Sequence, residues 1–356
     1  MRLAAEELVR DPGAVQDRWS WTPGTDHSLH ELLQASGGRA FETSGSGTGV
    51  PSTWWRSPDQ LAQEAAVTVA ALPDGIDSVV TTVAPTSLYG FALGVLTPIE
   101  LRVPVRHCPV LLRDLDLEPG HTLVVTIAPG WTTGPVLPPP PPGCTVTFVH
   151  AGSMLPPRAR TLVDAHEAVT LMELFGSTET GLLATRTHTA GSRNDSDPWT
   201  VVDDVLILST DSPTGNEVPL SVRSPRIGSA LPTDEPPERH TLGDWVTPIS
   251  EREFCFHGRR ERVTKADGRR VDLDLLEAQI GKLTDFQLSV ACLPALDPVG
   301  GEVVVLEVEG DDAVARELEL LLRRCAPTLP VRPRVVAVDQ ILRSPMGKPR
   351  PLRPAA

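Results

Sequence analysis

Short apolar runs rich in β-branched residues alternate along this chain with longer segments of helical pattern. The runs span residues 79–83, 123–127, 145–149, 205–208, 303–308 and 335–338. Gly, Pro or Asp residues stand close to each run, as is typical of strands that are buried on both faces of a sheet. Because such strands alternate with helices, the sequence predicts an α/β fold.

Two segments carry helix signals. Ser57 and Pro58 combine a capping hydroxyl with a proline at the first helical position, so they predict the start of a helix that continues through 61–72. The segment 311–324 places several leucines on one face, which predicts an amphipathic helix.

Length, charge and composition limit the function. A chain of 356 residues is long enough for two domains. It has no apolar run of about 18 residues and no secretory signal pattern, so we expect a cytoplasmic protein with no membrane span. A net charge of −14 disfavours nucleic-acid binding. The five cysteines are scattered without a CxxC pair, so we expect buried, reduced thiols.

Three segments predict surface connections, and one position predicts a domain boundary. The proline run 138–142 predicts a stiff loop, and residues 191–198 and 225–237 predict exposed turns. A strand-like segment ends at Gly258, where a charged stretch and a new pattern of strands and helices begin. We therefore place the boundary there.

A glycine-rich segment with many hydroxyls, FETSGSGTGVP, spans residues 41–51. Such a loop can turn its backbone N–H groups toward a polyphosphate, and its hydroxyls add further donors. It lacks the Gly-Lys-Ser/Thr of a Walker A loop, and its glycine spacing differs from the dinucleotide fingerprint. By itself the pattern also fits a flexible turn.

The segment ELFGSTETG, residues 173–181, places an aromatic ring, hydroxyls and a carboxylate within a few residues. Phe175 can stack on a base, Thr178 can contact a phosphate, and Glu179 can hold Mg²⁺. The alternative interpretation is a polar turn after a strand.

Three further segments carry polar groups suited to a nucleotide. Asp244 follows a glycine in TLGD and can accept hydrogen bonds from ribose hydroxyls, although an aspartate in such a place often caps a turn. Residues 258–277 predict a basic turn that leads into an acid-capped helix. Lys348 lies in SPMGK near the C-terminus, and alone it indicates only an exposed lysine.

Taken together and in this order, these segments resemble the adenylate-forming superfamily, which includes acyl-CoA synthetases, nonribosomal peptide synthetase adenylation domains and luciferases. The family's phosphate loop TSGSTGxPK is similar to TSGSGTGVP at 43–51, and its YGxTE signature is similar to FGSTE at 175–179. Its TGD, GRxDxxxKxxGxRVxxxxIE and PxxxxGK motifs are matched in part by 242–244, 258–277 and 344–348.

The resemblance implies roles for individual residues around ATP. Phe175 would stack on adenine, and Asp244 and Arg259 would bind the ribose and phosphate region. Thr178 and Glu179 would belong to the catalytic group, with Glu179 as a Mg²⁺ ligand. The residues implied to wrap the ATP phosphates are Thr43, Ser44, Gly45, Ser46, Gly47, Thr48 and Gly49.

The remaining implied roles concern the acid and the mobile part of the protein. Lys348 would be the catalytic lysine that contacts the α-phosphate and the carboxylate oxygens. Glu261 matches the hinge position, and Gly268 lies on the loop that in relatives lines the tunnel for a thiol acceptor. The residues implied for the acid pocket are Leu88, Gly152 and Gly176.

The resemblance also implies an architecture. Residues 1–257 would form a large N-terminal α/β domain with layered sheets that binds ATP and the acid. Residues 258–356 would form a small, mobile C-terminal α+β domain that carries Lys348.

The implied activity is that of an AMP-forming acid–thiol ligase. With ATP and Mg²⁺ it would activate a small carboxylic acid as acyl-AMP and pass the acyl group to CoA or to a phosphopantetheine. A carrier protein would act in trans, because the length leaves no room for a carrier domain. Two alternatives are an amide-forming ligase that uses the same adenylate, and a non-catalytic protein that binds a nucleotide or acyl-adenylate.

Four features depart from the family pattern. The chain begins only about forty residues before the phosphate loop, so we expect a compact variant. Gly47 is an insertion within the loop, Ser52 replaces the loop's lysine, and Leu88 stands where relatives often place a histidine. We expect these departures to affect substrate class and efficiency more than reaction type, because the matched acidic and basic residues remain.

Overall fold

The computed structural model describes residues 2–12, 18–24, 28–43, 52–108, 115–127, 131, 139–152, 155, 157–190, 198–208, 217–259, 262–266, 269–285, 287–296, 302–325 and 329–343. The helices are α1 (Ala5–Arg10), α2 (Leu29–Ser36), α3 (Pro58–Ala71), α4 (Leu88–Phe91), α5 (Thr97–Leu101), α6 (Pro157–Ala165), α7 (Leu273–Leu283) and α8 (Asp312–Cys325), and a π-helical turn (Ala92–Leu96) joins α4 to α5.

The strands among the described residues fall into one large sheet and three small ones. They are β1 (Trp19–Trp21), β2 (Arg39–Glu42), β3 (Thr53–Arg56), β4 (Ser78–Thr81), β5 (Val105–His107), β6 (Gly120–Thr126), β7 (Cys144–Ala151), β8 (Val169–Ser177), β9 (Gly181–His188), β10 (Trp199–Val201), β11 (Leu206–Ile207), β12 (Val218–Arg223), β13 (His240–Ser250), β14 (Glu253–Arg259), β15 (Val263–Ala266), β16 (Arg269–Asp272), β17 (Val290–Leu296), β18 (Glu302–Glu309) and β19 (Arg334–Val338).

The large sheet contains twelve strands in the order β1-β5-β4-β6-β7-β8-β9-β10-β14-β13-β12-β11. Strands β5, β4, β6, β7 and β8 run parallel to one another. From β8 onward each neighbouring pair is antiparallel. The carboxyl ends of the parallel strands therefore meet at one edge of the sheet, beside the turn from β8 to β9, and such edges are where α/β proteins bind ligands.

The remaining strands form a β2–β3 hairpin, a β15–β16 hairpin and a three-stranded sheet of β17, β18 and β19. Buried apolar side chains pack in two clusters that include residues of the large sheet, and in a third cluster within residues 266–331. The division of the chain into 1–257 and 258–356 stays a prediction.

The sequence patterns located the regular elements well, and the α/β class is confirmed. All six apolar runs overlap strands, namely β4, β6, β7, β11, β18 and β19. Helix α3 begins directly after Ser57, whose hydroxyl accepts a hydrogen bond from the Gln60 amide at 3.2 Å, while the Gln60 side chain accepts one from the Ser57 amide at 3.0 Å. This reciprocal capping box explains why the helix starts there.

One surface prediction is wrong in part. Residues 225–237 were expected to form exposed turns, but Arg226, Ile227, Gly228 and Ser229 are buried. Two contacts hold this segment in the interior. Ser229 and Trp55 exchange main-chain hydrogen bonds of 2.7 and 3.0 Å, and the Arg226 side chain forms a buried ion pair with Glu64. Most of 191–198 lies outside the described residues.

All five cysteines are free thiols, but only Cys144 and Cys292 are buried, so the expected burial is wrong for the other three, which are partly exposed. Within the described ranges, no helix is both long enough and apolar enough to span a membrane.

A cluster of charged side chains that does not include Arg226 is buried in the sheet between β8 and β9. Glu173 is 3 % exposed and His188 is fully buried. Arg160 can only donate, so at 2.7 Å it fixes Nδ1 of His188 as the acceptor, and the Nε2–H of that ring donates to Glu173 at 2.6 Å. Burial alone would raise the pKa of Glu173, but the hydrogen bond from His188 and the charge of Arg186 outweigh it and lower this pKa.

We predict that Glu173→Gln flattens the acid dependence of stability. The folded-state pKa of Glu173 lies below its ordinary value of 4.5. Its contribution is therefore complete above that value and is lost as the pH falls through the folded-state pKa. In urea titrations from about pH 6 to about pH 3, the free energy of unfolding should fall less steeply in the variant than in the wild type.

Glu167→Gln is the matched control, because Glu167 is exposed in the turn between α6 and β8. It removes one negative charge without touching the buried cluster. Equal acid slopes in the wild type and Glu173→Gln would contradict the assignment.

Candidate functional site

A cavity of about 360 Å³ opens at the carboxyl ends of the parallel strands. It is bounded by the ends of β7 and β8, by helices α3 and α4, and by the start of β13. Its lining residues are Glu42, Thr43, Glu64, Thr68, Ser87, Leu88, Tyr89, Ala92, Leu93, Ala151, Gly152, Leu174, Phe175, Gly176, Ser177, Thr178, Glu179, Gly181, Leu182, His240, Thr241, Leu242 and Gly243. One part of this lining is aliphatic, whereas the other carries hydroxyls and carboxylates.

The turn from β8 to β9, residues 177–181, forms the polar wall of the cavity. Ser177 pairs with Gly181 across the turn, and the hydroxyl of Ser177 accepts a hydrogen bond from the Thr180 amide at 3.3 Å. Thr178 and Glu179 lie at the tip, half-buried, and both line the cavity. The polar turn after a strand, which was the alternative interpretation of this motif, is therefore present, and its tip lines the cavity.

A buried cluster of charged residues holds this turn from behind. Arg226 donates to Glu64 at 2.5 Å and makes two bonds of 2.7 Å to Asp204. It also donates to the carbonyl oxygen of Leu182 at 2.6 Å, while Glu64 accepts from the Leu182 amide at 2.9 Å. Helix α3, which carries Glu64, is thereby tied to the first residues of β9.

Arg56, at the end of β3, extends the cluster to the tip of the turn. Its guanidinium donates to the carbonyl oxygen of Thr178 at 2.9 Å and to that of Arg226. Burial lowers the pKa of Arg56 to about 10, although the charges of Glu64 and Glu179 act in the opposite direction. Burial would also lower the pKa of Arg226, but the charges of Glu64 and Asp204 outweigh it and raise this pKa. Both guanidinium groups remain charged at neutral pH.

An aromatic cluster forms another side of the site. The ring of Phe175 meets the rings of Trp199, Phe254 and Phe256 at centroid distances of 5.2, 5.4 and 5.3 Å, each in an edge-to-face arrangement. Phe175 also lines the cavity, so its ring has both a packing role and an accessible surface.

Tyr89 closes the floor between two neighbouring strands. Its hydroxyl lies 2.9 Å from the carbonyl oxygens of both Thr126 and Val149, at the ends of β6 and β7. Because these bonds satisfy the hydroxyl, the ring of Tyr89 presents an apolar surface beside Leu88, Ala92 and Leu93.

Asp244 lies inside strand β13 and not in a turn, so the turn-cap interpretation does not apply. It is 3 % exposed, and its main chain pairs with that of Arg259 on β14. The residues that precede it, Leu242 and Gly243, line the cavity. Asp244 and the backbone of Arg259 thus stand next to each other, one residue beyond the cavity wall.

The structure brings seven of the predicted site residues to one cavity. They are Thr43, Leu88, Gly152, Phe175, Gly176, Thr178 and Glu179. Several others lie outside the described residues, namely Ser44, Gly45, Ser46, Gly47, Thr48, Gly49, Glu261, Gly268 and Lys348.

Sequence reasoning missed the residues that support the turn. Glu64 shares a buried helix face with Leu61, Ala65 and Thr68, so a charged residue on an apolar stripe was the available signal. Arg226 lies in a proline-rich segment without regular periodicity, so no apolar stripe in the sequence indicated that it is buried.

Comparison with known proteins defines the fold. No protein-family model matches the chain, and no curated protein sequence matches it. The solved structure of the amide bond synthetase McbA from Marinactinospora thermotolerans is similar, with a TM-score of 0.63, 20% identity, and coverage of 87% of this chain and 66% of that chain.

Two CoA ligases are similar to the same degree. The anthranilate CoA ligase AuaEII, solved with anthranoyl-AMP, has a TM-score of 0.62 and 15% identity over 87% of this chain and 65% of that chain. A benzoate CoA ligase from Burkholderia xenovorans has a TM-score of 0.61 and 17% identity over 84% of this chain and 66% of that chain. The protein spans about two thirds of the length of these structures, and it shares the fold of this amide bond synthetase and these CoA ligases.

We predict that Gly181→Ala destabilises the protein more than a glycine substitution with the same backbone strain. Gly181 has φ +75°, and a Cβ there would lie 2.1 Å from Oε2 of Glu64 and 2.7 Å from Nη1 of Arg226. The left-handed backbone alone costs a non-glycine residue about 1–2 kcal/mol. The displaced ion pair adds to that cost, because a buried charge loses its partner.

Gly75→Ala is the matched control, since Gly75 has φ +73° and a Cβ there meets nothing within 4 Å. Urea unfolding of both variants separates the two contributions. Equal losses in the free energy of unfolding would show that the Glu64–Arg226 pair does not require a glycine at position 181.

Proposed function

We propose that the protein uses ATP and Mg²⁺ to activate a small carboxylic acid as acyl-AMP and then transfers the acyl group to a thiol. The observation that carries this proposal is the cavity, which gathers side chains from the phosphate-loop, FGSTE and TGD segments although they are far apart in sequence. The adenylate-forming fold supports it, because the similar structures include one solved with anthranoyl-AMP.

The polar half of the cavity suits a nucleotide triphosphate. In the proposal, Thr43 and the hydroxyl-rich loop that follows it surround the phosphates, Phe175 offers its face to adenine, and Asp244 and Arg259 hold the ribose. The chain has a net charge of −14, so an anionic substrate depends on these local donors and not on the overall field.

Glu179 is the proposed protein ligand of Mg²⁺, with Thr178 beside it. Among the described residues there is no group of three or more His, Cys, Asp or Glu side chains that could hold a metal. A single carboxylate fits Mg²⁺, which keeps several waters and is held largely by substrate phosphates. When bound, the ion would neutralise the phosphates so that a carboxylate can attack the α-phosphorus.

The aliphatic half of the cavity is the proposed acid pocket. Leu88, Ala92, Leu93, Ala151 and Leu174 form its lining, with Gly152 and Gly176 at its edge. Such a surface favours a small acid with an apolar body. The carboxylate of that acid would point toward Thr178 and Glu179, where the nucleotide is expected.

The second half of the reaction is assigned to the C-terminal segment. Residues 258–356 would turn about Glu261 and bring Lys348 to the α-phosphate for adenylation. A second rotation about the same hinge would then move Lys348 away and open the site to a thiol, either CoA or the phosphopantetheine of a carrier protein. The acyl group would then leave AMP for the sulfur without further ATP.

We predict that the wild-type protein exchanges labelled pyrophosphate into ATP when a suitable small acid is present, and that Lys348→Ala slows this exchange by about 10²-fold. The lysine would stabilise charge that develops at the α-phosphate. Lys282→Ala is the matched control, because Lys282 is exposed on α7. Equal loss in both lysine variants would contradict the role of Lys348.

The acceptor is tested separately, with CoA, a phosphopantetheinylated carrier protein and simple amines offered to the preformed adenylate. A thioester product supports the thiol ligase, whereas an amide product identifies an amide-forming ligase. A protein that binds ATP but never exchanges pyrophosphate across an acid panel is a binding protein, and the proposal fails.

A further inference from the structure

Arg56 is a fully buried arginine whose guanidinium donates hydrogen bonds to main-chain carbonyls behind the cavity wall. It is 0 % exposed, and it lies on β3 immediately before helix α3. One nitrogen donates to the Thr178 carbonyl at 2.9 Å, and another donates to the Arg226 carbonyl. Arg56 therefore contacts the backbone of the residue next to Glu179 but does not line the cavity itself.

Within the described part of the chain, one further main-chain contact holds the tip of the turn. The carbonyl of Glu179 accepts from the Gly228 amide at 2.9 Å. The segment that supplies Gly228 begins with Arg226, the same residue whose carbonyl Arg56 also binds. Arg56 thus joins the two segments that hold Thr178 and Glu179, and its planar fork can bind both carbonyls at once.

The charges around Arg56 make this arrangement a rigid one. Glu64 and Arg226 form a buried ion pair, and Asp204 binds the same Arg226 in two places. Arg56 is itself a buried charge, so movement away from the two carbonyls would cost its guanidinium these hydrogen bonds, which is unfavourable in the interior. Side chains locked in this way keep an active-site group within the narrow range of positions that catalysis needs.

We propose that Arg56 is a positioning residue of the adenylation site, which holds the main chain at Thr178 so that the Thr178 and Glu179 side chains face the nucleotide. This inference rests on the proposed function of the cavity. The anchoring of the turn by Arg56 can be measured by hydrogen exchange, which does not require the protein to be active.

The test compares Arg56→Met, Arg56→Lys and Arg39→Met. Methionine keeps much of the volume of the side chain but removes the donors, and lysine restores one donor nitrogen in place of the guanidinium fork. Arg39 is the matched control, because its guanidinium also donates to two carbonyls, those of Val9 and Arg10, both at 2.7 Å. It anchors the end of α1 and not the turn.

In pyrophosphate exchange, Arg56→Met should lower kcat by about 10- to 100-fold, as is typical when a supporting contact to a metal-site group is lost. The KM for the acid should stay within about twofold, because the aliphatic pocket is untouched, and Arg56→Lys should recover part of kcat. Arg39→Met should keep kcat within about twofold. An unchanged kcat in Arg56→Met, or the same loss in Arg39→Met, overturns the inference.

Hydrogen exchange of the amides in residues 177–182 provides the second readout. These amides should exchange at least about tenfold faster in Arg56→Met, with no comparable change elsewhere in the sheet. Unchanged exchange overturns the inference even if the protein has no activity, so its failure is separate from failure of the proposed function. If Arg56→Met does not fold, Arg56→Lys is judged by the same two readouts, with smaller losses expected.

Discussion

The ion pair between Glu64 and Arg226 connects the parts of the structure that form the cavity. One partner lies on helix α3, and the other lies on the segment after β12; between them they bind both main-chain groups of Leu182. The cost of burying these charges is offset because every partner is close and hydrogen-bonded. A pair of this kind contributes less to net stability than to the selection of one arrangement of helix, strand and turn.

The order of strands in the large sheet determines which segments lie next to one another at the cavity. Five parallel strands end at the same edge, and the chain then reverses into antiparallel pairing at β9. This reversal places the turn of residues 177–181 beside the ends of β6 and β7, where Tyr89 fills the gap. The polar turn and the aliphatic pocket are therefore adjacent because of strand order, before any ligand is considered.

The sequence predicted what is local and missed what depends on distant contacts. Apolar runs and the Ser57 cap located strands and helix α3, because side-chain periodicity and capping act within a few residues. The alternative interpretation of FGSTE as a turn after a strand also describes its local structure, for the same reason. The burial of Arg226 was not predicted, since its partners, Glu64, Asp204 and Leu182, are scattered along the chain. Asp244 was placed near the site, but its position inside β13 follows from pairing with β14, which has no local signal.

The π-helical turn at Ala92–Leu96 has a consequence for how the pocket can change. A π turn holds one residue more than an α turn, so the helix face before it and the face after it are offset by about 100°. Leu88 and Leu93 face the cavity, whereas α5 beyond the turn packs against α3. Loss of a single residue within Ala92–Leu96 would rotate the whole pocket-facing half of the helix while its anchored half stayed in place. A change of one residue in chain length at this point would thus reshape the aliphatic part of the cavity without any exchange of side chains.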